Sequence, residues 1–198
     1  ADTVNTSGNI LLQANSLNVA GALNLKNAGL LTIEPIATSF TSAFTWPIAN
    51  INILSTAGLT LGKSGNASDM TIGSAVTIAG PIKIYGGNIA INAALTASGT
   101  NTIWLYGSGN VTDGASGYLV ADKLALIGGA VTLNSASNNV GTIAGESLTS
   151  LTYVDSNALT IGVVNPTGIT ATGLIDISTV SGNLTVSENI TTSSTANN

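Results

Sequence analysis

Four aspartates, Asp113, Asp122, Asp155 and Asp176, are the side chains of this 198-residue sequence best suited to chemistry. Glycoside hydrolysis needs two carboxyl groups facing one groove. On the repeat described below, Asp113 and Asp155 fall on related positions two coils apart, while Asp176 sits at the centre of a different strand. A lyase acting on an acidic sugar draws on Arg or Lys, and the chain has no Arg. These facts favour aspartates solvated in turns, and no catalytic residue is expected. Calcium-loaded rolls carry a Gly-Gly-x-Gly-x-Asp nonapeptide. Gly86-Gly87 and Gly128-Gly129 lack the acidic residues that should follow, so no metal and no other cofactor is expected.

Aromatic side chains offer contact chemistry instead. Stepping from Ile82 to Ile103 aligns Lys83 with Trp104 and Tyr85 with Tyr106. Such a column can receive a sugar ring, with the ammonium over the indole face. It can equally be a ladder that stiffens a sheet, or one covered by a neighbouring loop. The segment from Glu34 to Asn50 holds Pro35, Phe40, Phe44, Trp46 and Pro47. It reads as a coil with a packed corner or as a protruding loop. Each proline removes a ladder donor. On that ground Phe40, Phe44 and Trp46 are expected outside the regular wall, as the most interactive surface.

Composition removes other classes. Charged residues make up 7 % of the chain, with six Asp and three Glu against four Lys, a net charge of −5. That balance argues against nucleic-acid binding. There is no His to titrate near neutrality and no Cys for a disulfide or a zinc site. No apolar run approaches a membrane span, so no membrane insertion is expected. The first residue is Ala1, which suggests a processed or excised fragment exported by a segment not present.

The elements that must position these residues are short strands. The triplet apolar–small–apolar recurs as Leu23-Asn24-Leu25, Leu59-Thr60-Leu61, Val76-Thr77-Ile78, Ile89-Ala90-Ile91, Val131-Thr132-Leu133, Leu159-Thr160-Ile161, Ile175-Asp176-Ile177 and Leu184-Thr185-Val186. Period-two alternation buries one face and wets the other. A longer phase runs Leu31, Ile51, Met70, Ile89, Val111, Val131, Leu151, Ile169, Ile190, and seven of the nine following residues are Thr. One Thr per coil is not the Thr-x-Thr lattice of an ice-binding face. The phase predicts an all-β, right-handed parallel β-helix (β-solenoid) over residues 1–198. Each coil has about 20 residues and three strands, and the rod is on the order of 45 Å long. Gly107–Gly117 reads as a wide turn, Asn134–Ser150 as one irregular coil, and Thr191–Asn198 as a fraying tail.

The phrases Gly87-Asn88-Ile89-Ala90-Ile91-Asn92, Gly129-Ala130-Val131-Thr132-Leu133-Asn134 and Ser181-Gly182-Asn183-Leu184-Thr185-Val186 resemble the repeats of filamentous-haemagglutinin-like adhesins and related large bacterial exoproteins. Asn165-Pro166-Thr167-Gly168-Ile169 is similar to an Asn-Pro-Asn-Gly-Ile motif of their secretion domain, but Thr167 departs from it and the companion motif upstream is missing. The chain therefore reads as repeat shaft. The resemblance implies secretion to the cell surface and adhesion or filament formation without catalysis. The implied partners are a glycan or protein of a host or neighbouring cell, and end-to-end self-association is expected of a cut shaft. A structural filament or surface-layer spacer is the alternative, and a polysaccharide-acting β-helix enzyme the third.

Overall fold

The computed structural model describes residues 2–193. It contains twenty-three strands and no helix among them. In chain order these are β1 (Asp2–Thr6), β2 (Ile10–Gln13), β3 (Leu23–Asn27), β4 (Leu30–Glu34), β5 (Phe44–Trp46), β6 (Ile51–Ser55), β7 (Gly58–Leu61), β8 (Met70–Ile72), β9 (Val76–Ile78), β10 (Ile82–Gly86), β11 (Ile89–Ile91) and β12 (Ala94–Ala97). Then follow β13 (Thr102–Gly107), β14 (Asn110–Asp113), β15 (Tyr118–Ile127), β16 (Ala130–Leu133), β17 (Asn139–Leu148), β18 (Ser150–Asp155), β19 (Leu159–Ile161), β20 (Ile169–Ala171), β21 (Ile175–Thr179), β22 (Leu184–Val186) and β23 (Ile190–Thr192).

Every ladder between these strands is parallel, and the chain winds as a β-solenoid of about nine turns, three strands to a coil. One coil cannot bury its own apolar side, but stacked coils share one core. The first face carries β1-β3-β6 and, further along, β9-β12-β15; the second runs β2-β4-β7-β10-β13-β15-β17-β19-β22; the third runs β5-β8-β11-β14-β16-β18-β21. Ten-residue β15 and β17 span a corner: the start of β15 pairs with β12 and its end with β13. Inward columns such as Leu59, Ile82, Ile103, Leu124 and Ile143 follow the register and are at most 1 % exposed. Burying each such side chain is worth about 1.5–3 kcal/mol.

The triplets all lie in strands, and the Met70, Ile89, Val111, Val131, Leu151 phase is the true register of the third face. Its outer column is Thr45, Thr71, Ala90, Thr112, Thr132, Thr152 and Asp176. The ends of the expected column belong elsewhere. Leu31, Ile169 and Ile190 lie in the large sheet, and Ile51 lies in the three-stranded one. A fixed step of about twenty fails there because coil length varies. Leu30 pairs with Gly58, 28 positions on, whereas Thr142 pairs with Thr160, 18 positions on.

Two further expectations need correction. Gly107–Gly117 contains β14, whose Val111 is buried. Asn134–Ser150 contains β17, one of the two longest strands. Its strand signal is weak because Gly141, Ala144 and Gly145 stand where large side chains would show the alternation. Of the tail, Thr191 and Thr192 are in β23, and residues from 194 onward lie outside those described.

Candidate functional site

The second face brings Lys83, Tyr85, Trp104 and Tyr106 together. β10 pairs with β13 so that Lys83 faces Trp104 and Tyr85 faces Tyr106. The outward period-two positions put all four on the solvent side, half-buried. The Tyr85 and Tyr106 rings stack with centroids 4.3 Å apart and planes at 9°. Lys83 Nζ lies 5.2 Å from the Trp104 ring centroid, within cation–π range. Burial, then the neighbouring Tyr85 hydroxyl, then Glu146, push the Tyr106 phenol up to about 12. A neutral, open groove of about 580 Å³ runs beside the ladder, lined by Tyr85, Tyr106, Ile127, Ser64 and Ser108 among others.

Trp104 is half covered by a segment far along the chain. β19 and β20 both continue β17, and residues 162–168 between them form a small loop closed by a bridge between Val163 and Thr167. Gly168 N–H donates to the Gly162 carbonyl at 3.0 Å, which closes the neck. Gly168 has φ +67°, and a Cβ there would meet the Asn189 carbonyl oxygen at 2.3 Å, so no other residue fits. Trp104 Nε1 donates to the Asn165 carbonyl at 3.2 Å. In register between Trp104 and this loop stand Ala125 and Ala144, outward-facing yet fully buried. Small residues there let the loop lie flat across three coils as a strap. The loop-covered ladder is thus the arrangement at Trp104.

Phe40, Phe44 and Trp46 do not form the expected outer surface. They are 5 %, 8 % and 1 % exposed and belong to the core. Phe44-Thr45-Trp46 is β5, an ordinary inward–outward–inward triplet in register with Met70-Thr71-Ile72. Phe40 stacks on Phe44 at 4.6 Å. Pro35 and Pro47 fall just outside strands, so neither withdraws a ladder donor. The extra length of this coil is a packed corner.

The two related aspartates meet at the corner between the third and first faces, where they act as fasteners. Asp155 is fully buried. Its Oδ2 accepts from Val140 N–H at 2.9 Å and Tyr153 O–H at 2.8 Å, and its Oδ1 from Asn157 N–H at 3.1 Å. Asp113 accepts from the backbone N–H of Asn134 and Ser135 at 3.0 and 2.9 Å. Between them sits fully buried Asn138, whose Nδ2 reaches Asp113 Oδ2 at 3.3 Å and the Val154 carbonyl at 3.2 Å, while its Oδ1 receives Leu119 N–H at 2.8 Å. Burial raises the Asp155 carboxyl, against the hydrogen bonds that lower it, and burial raises the Tyr153 phenol well above its usual value. Asp122 lies in β15 where that strand turns from the first face to the second, and Asp176 is exposed on the third face, so neither joins this corner. Sequence reading missed Asn138 and Tyr153. A hydrophobic-looking Tyr153-Val154-Asp155 stretch gives no hint that the phenol serves the carboxylate two residues on.

Among the described residues no three of His, Cys, Asp and Glu gather to hold a metal ion. Among the same residues no helix is long and apolar enough to cross a membrane. No protein-family model, curated protein or solved structure matches the chain.

Proposed function

We propose that the chain is a non-enzymatic shaft segment of a secreted or cell-surface bacterial exoprotein of the filamentous-haemagglutinin-like kind, supporting attachment to a host or neighbouring cell. The observation that carries this reading is the outer surface of the nine-turn stack. It presents Thr, Ser and Asn with few charges, and its chief distinct feature is the Lys83, Tyr85, Trp104, Tyr106 ladder. The best-placed carboxylates, Asp113 and Asp155, spend their oxygens on backbone N–H groups of neighbouring coils, a structural use.

A purely structural spacer is the second reading. The last described strands favour it: Leu184, Val186 and Ile190 continue inward columns yet are 40 %, 57 % and 43 % exposed, an apolar edge on which another unit can stack. Glycan-array and whole-cell binding by the 198-residue chain separate the two. Saturable binding weakened by Tyr85→Ala supports attachment. Complete absence of binding leaves the spacer. Release of reducing sugar from a polysaccharide panel would overturn both.

A further inference from the structure

The strap covers the Trp104 half of the ladder, and the tyrosine half borders the groove of about 580 Å³. One wall is the column Tyr85, Tyr106, Ile127, stacked by register on three successive rungs. The floor is Gly86, Gly107 and Gly128, and residues 64–67 close one end. A Cβ on Gly86 or Gly107 would strike core side chains, Met70 Cγ and Val111 Cγ2, both at 2.6 Å. One on Gly128 would meet the Gly107 carbonyl oxygen at 2.8 Å. The floor is therefore bare backbone over two strand spacings, about 10 Å. The rung before Tyr85 adds no side chain either. Gly62 stands there with φ +74°, and a Cβ on it would meet the Tyr85 carbonyl oxygen at 2.5 Å. Tyr106 stacks on one face of the Tyr85 ring, so the other face looks back over Gly62 toward the closed end.

The charges around the groove select its occupant. None of the described residues lining it is charged, and the next residue in the column after Ile127 is exposed Glu146. The two nearby lysines are engaged: Lys83 lies over the Trp104 ring, and Lys63 Nζ donates to the Ile36 carbonyl at 2.9 Å. Burial, then Tyr85, then Glu146 push the Tyr106 phenol up to about 12, so its hydroxyl stays protonated at neutral pH. An anion finds no free cation here. An acyl chain would cover the backbone floor and the Ser64 and Ser108 hydroxyls without giving them partners. An extended peptide finds no free strand edge, because β10, β13 and β15 are each paired on both sides. A sugar ring has a C–H face for an aromatic ring and hydroxyls at its rim for serines and backbone carbonyls. We propose that this groove binds an uncharged oligosaccharide along the rod axis, with one ring against Tyr85 and the next passing Tyr106 and Ile127. The proposal rests on the attachment reading and names its ligand.

The test is calorimetry with saturation-transfer NMR on the whole 198-residue chain. The probes are cellobiose, maltose, lactose, mannobiose and N,N′-diacetylchitobiose, with digalacturonate as the anionic counterpart. At least one neutral disaccharide should bind at millimolar concentration, and digalacturonate should bind about tenfold more weakly or not at all. Tyr85→Leu keeps the wall apolar but removes the ring. Ser108→Leu fills the groove from an exposed position and should leave the urea midpoint unchanged. Each should weaken binding about tenfold, the loss of one good ring contact. The proposal is overturned if no neutral probe binds, if digalacturonate binds more tightly, or if both variants keep wild-type affinity. Whole-cell binding then distinguishes the two failures. Cells still bound saturably, and less by Tyr85→Leu, would leave attachment standing through a ligand other than an uncharged sugar. Cells not bound at all would sink the attachment reading together with the sugar.

Discussion

Replacing Asp155 removes the acceptor of two backbone N–H groups and the Tyr153 hydroxyl at once. A buried donor left unpaired costs about 1–3 kcal/mol, so Asp155→Ala should lose at least about 2 kcal/mol in urea unfolding at pH 7. The carboxyl is raised in the folded chain by burial. Between its ordinary value and the raised one, the folded chain keeps a proton that the unfolded chain has lost. Stability then falls as pH rises through that window and is level above it. Wild type should gain on Asp155→Ala as pH drops from 7 toward 4. A widening deficit of wild type over that range would contradict the burial argument. Trp46 makes a different prediction. In Trp104→Phe its emission should be blue-shifted and resist acrylamide, and Trp46→Ala should cost about 3–5 kcal/mol, as large core truncations do. Composition alone misleads here, because three aromatics in seven residues look like a sticky loop on a surface of Thr and Asn. The Phe44-Thr45-Trp46 alternation, the same triplet found throughout the chain, held the correct answer.

The strap at residues 162–168 shows how one element depends on the size of side chains in others. Ala144→Leu should lift it, because the new side chain needs the space between β17 and the loop. In Trp46→Phe, the emission of Trp104 should then move red and become quenchable, at a stability cost of about 1–3 kcal/mol typical of overpacking. An unchanged Trp104 signal would mean that the strap does not rest on the alanine track. The strap was illegible in the sequence: its anchor joins Trp104 to Asn165 across 61 positions, and no periodicity reports such a contact. The Lys83–Trp104 and Tyr85–Tyr106 pairs were legible because both sit one regular coil apart. The third-face phase was legible between Met70 and Leu151 for the same reason, and it failed where coils lengthen to 24, 26 or 28 residues.

At the scale of the whole molecule, the described residues stack as a short rod whose last described strands leave core positions exposed. Strands β22 and β23 are exposed along their whole length, and the inward columns end on Leu184, Val186 and Ile190. Open strand edges over bare core invite stacking of a second copy. Light scattering should show a mass that rises with protein concentration, and Val186→Lys with Ile190→Lys should suppress the rise. A strict monomer at millimolar concentration would mean that the end is covered.

The central claim is that successive coils lie on one another in parallel register, each one strand spacing, about 4.8 Å, above the last. The chain has no native cysteine, so pairs of spin labels can be placed at will on the outer column of the third face. With one label at Thr45, the second goes to Thr132, Thr152 or Asp176, which stand four, five and six rungs away. Double electron–electron resonance should return backbone-corrected distances near 19, 24 and 29 Å, a straight line against rung number with a slope of about 4.8 Å. Distances that fail to increase along the series, as in a sandwich where strands far apart in sequence fold back beside one another, would contradict the solenoid and the reading of function that rests on it.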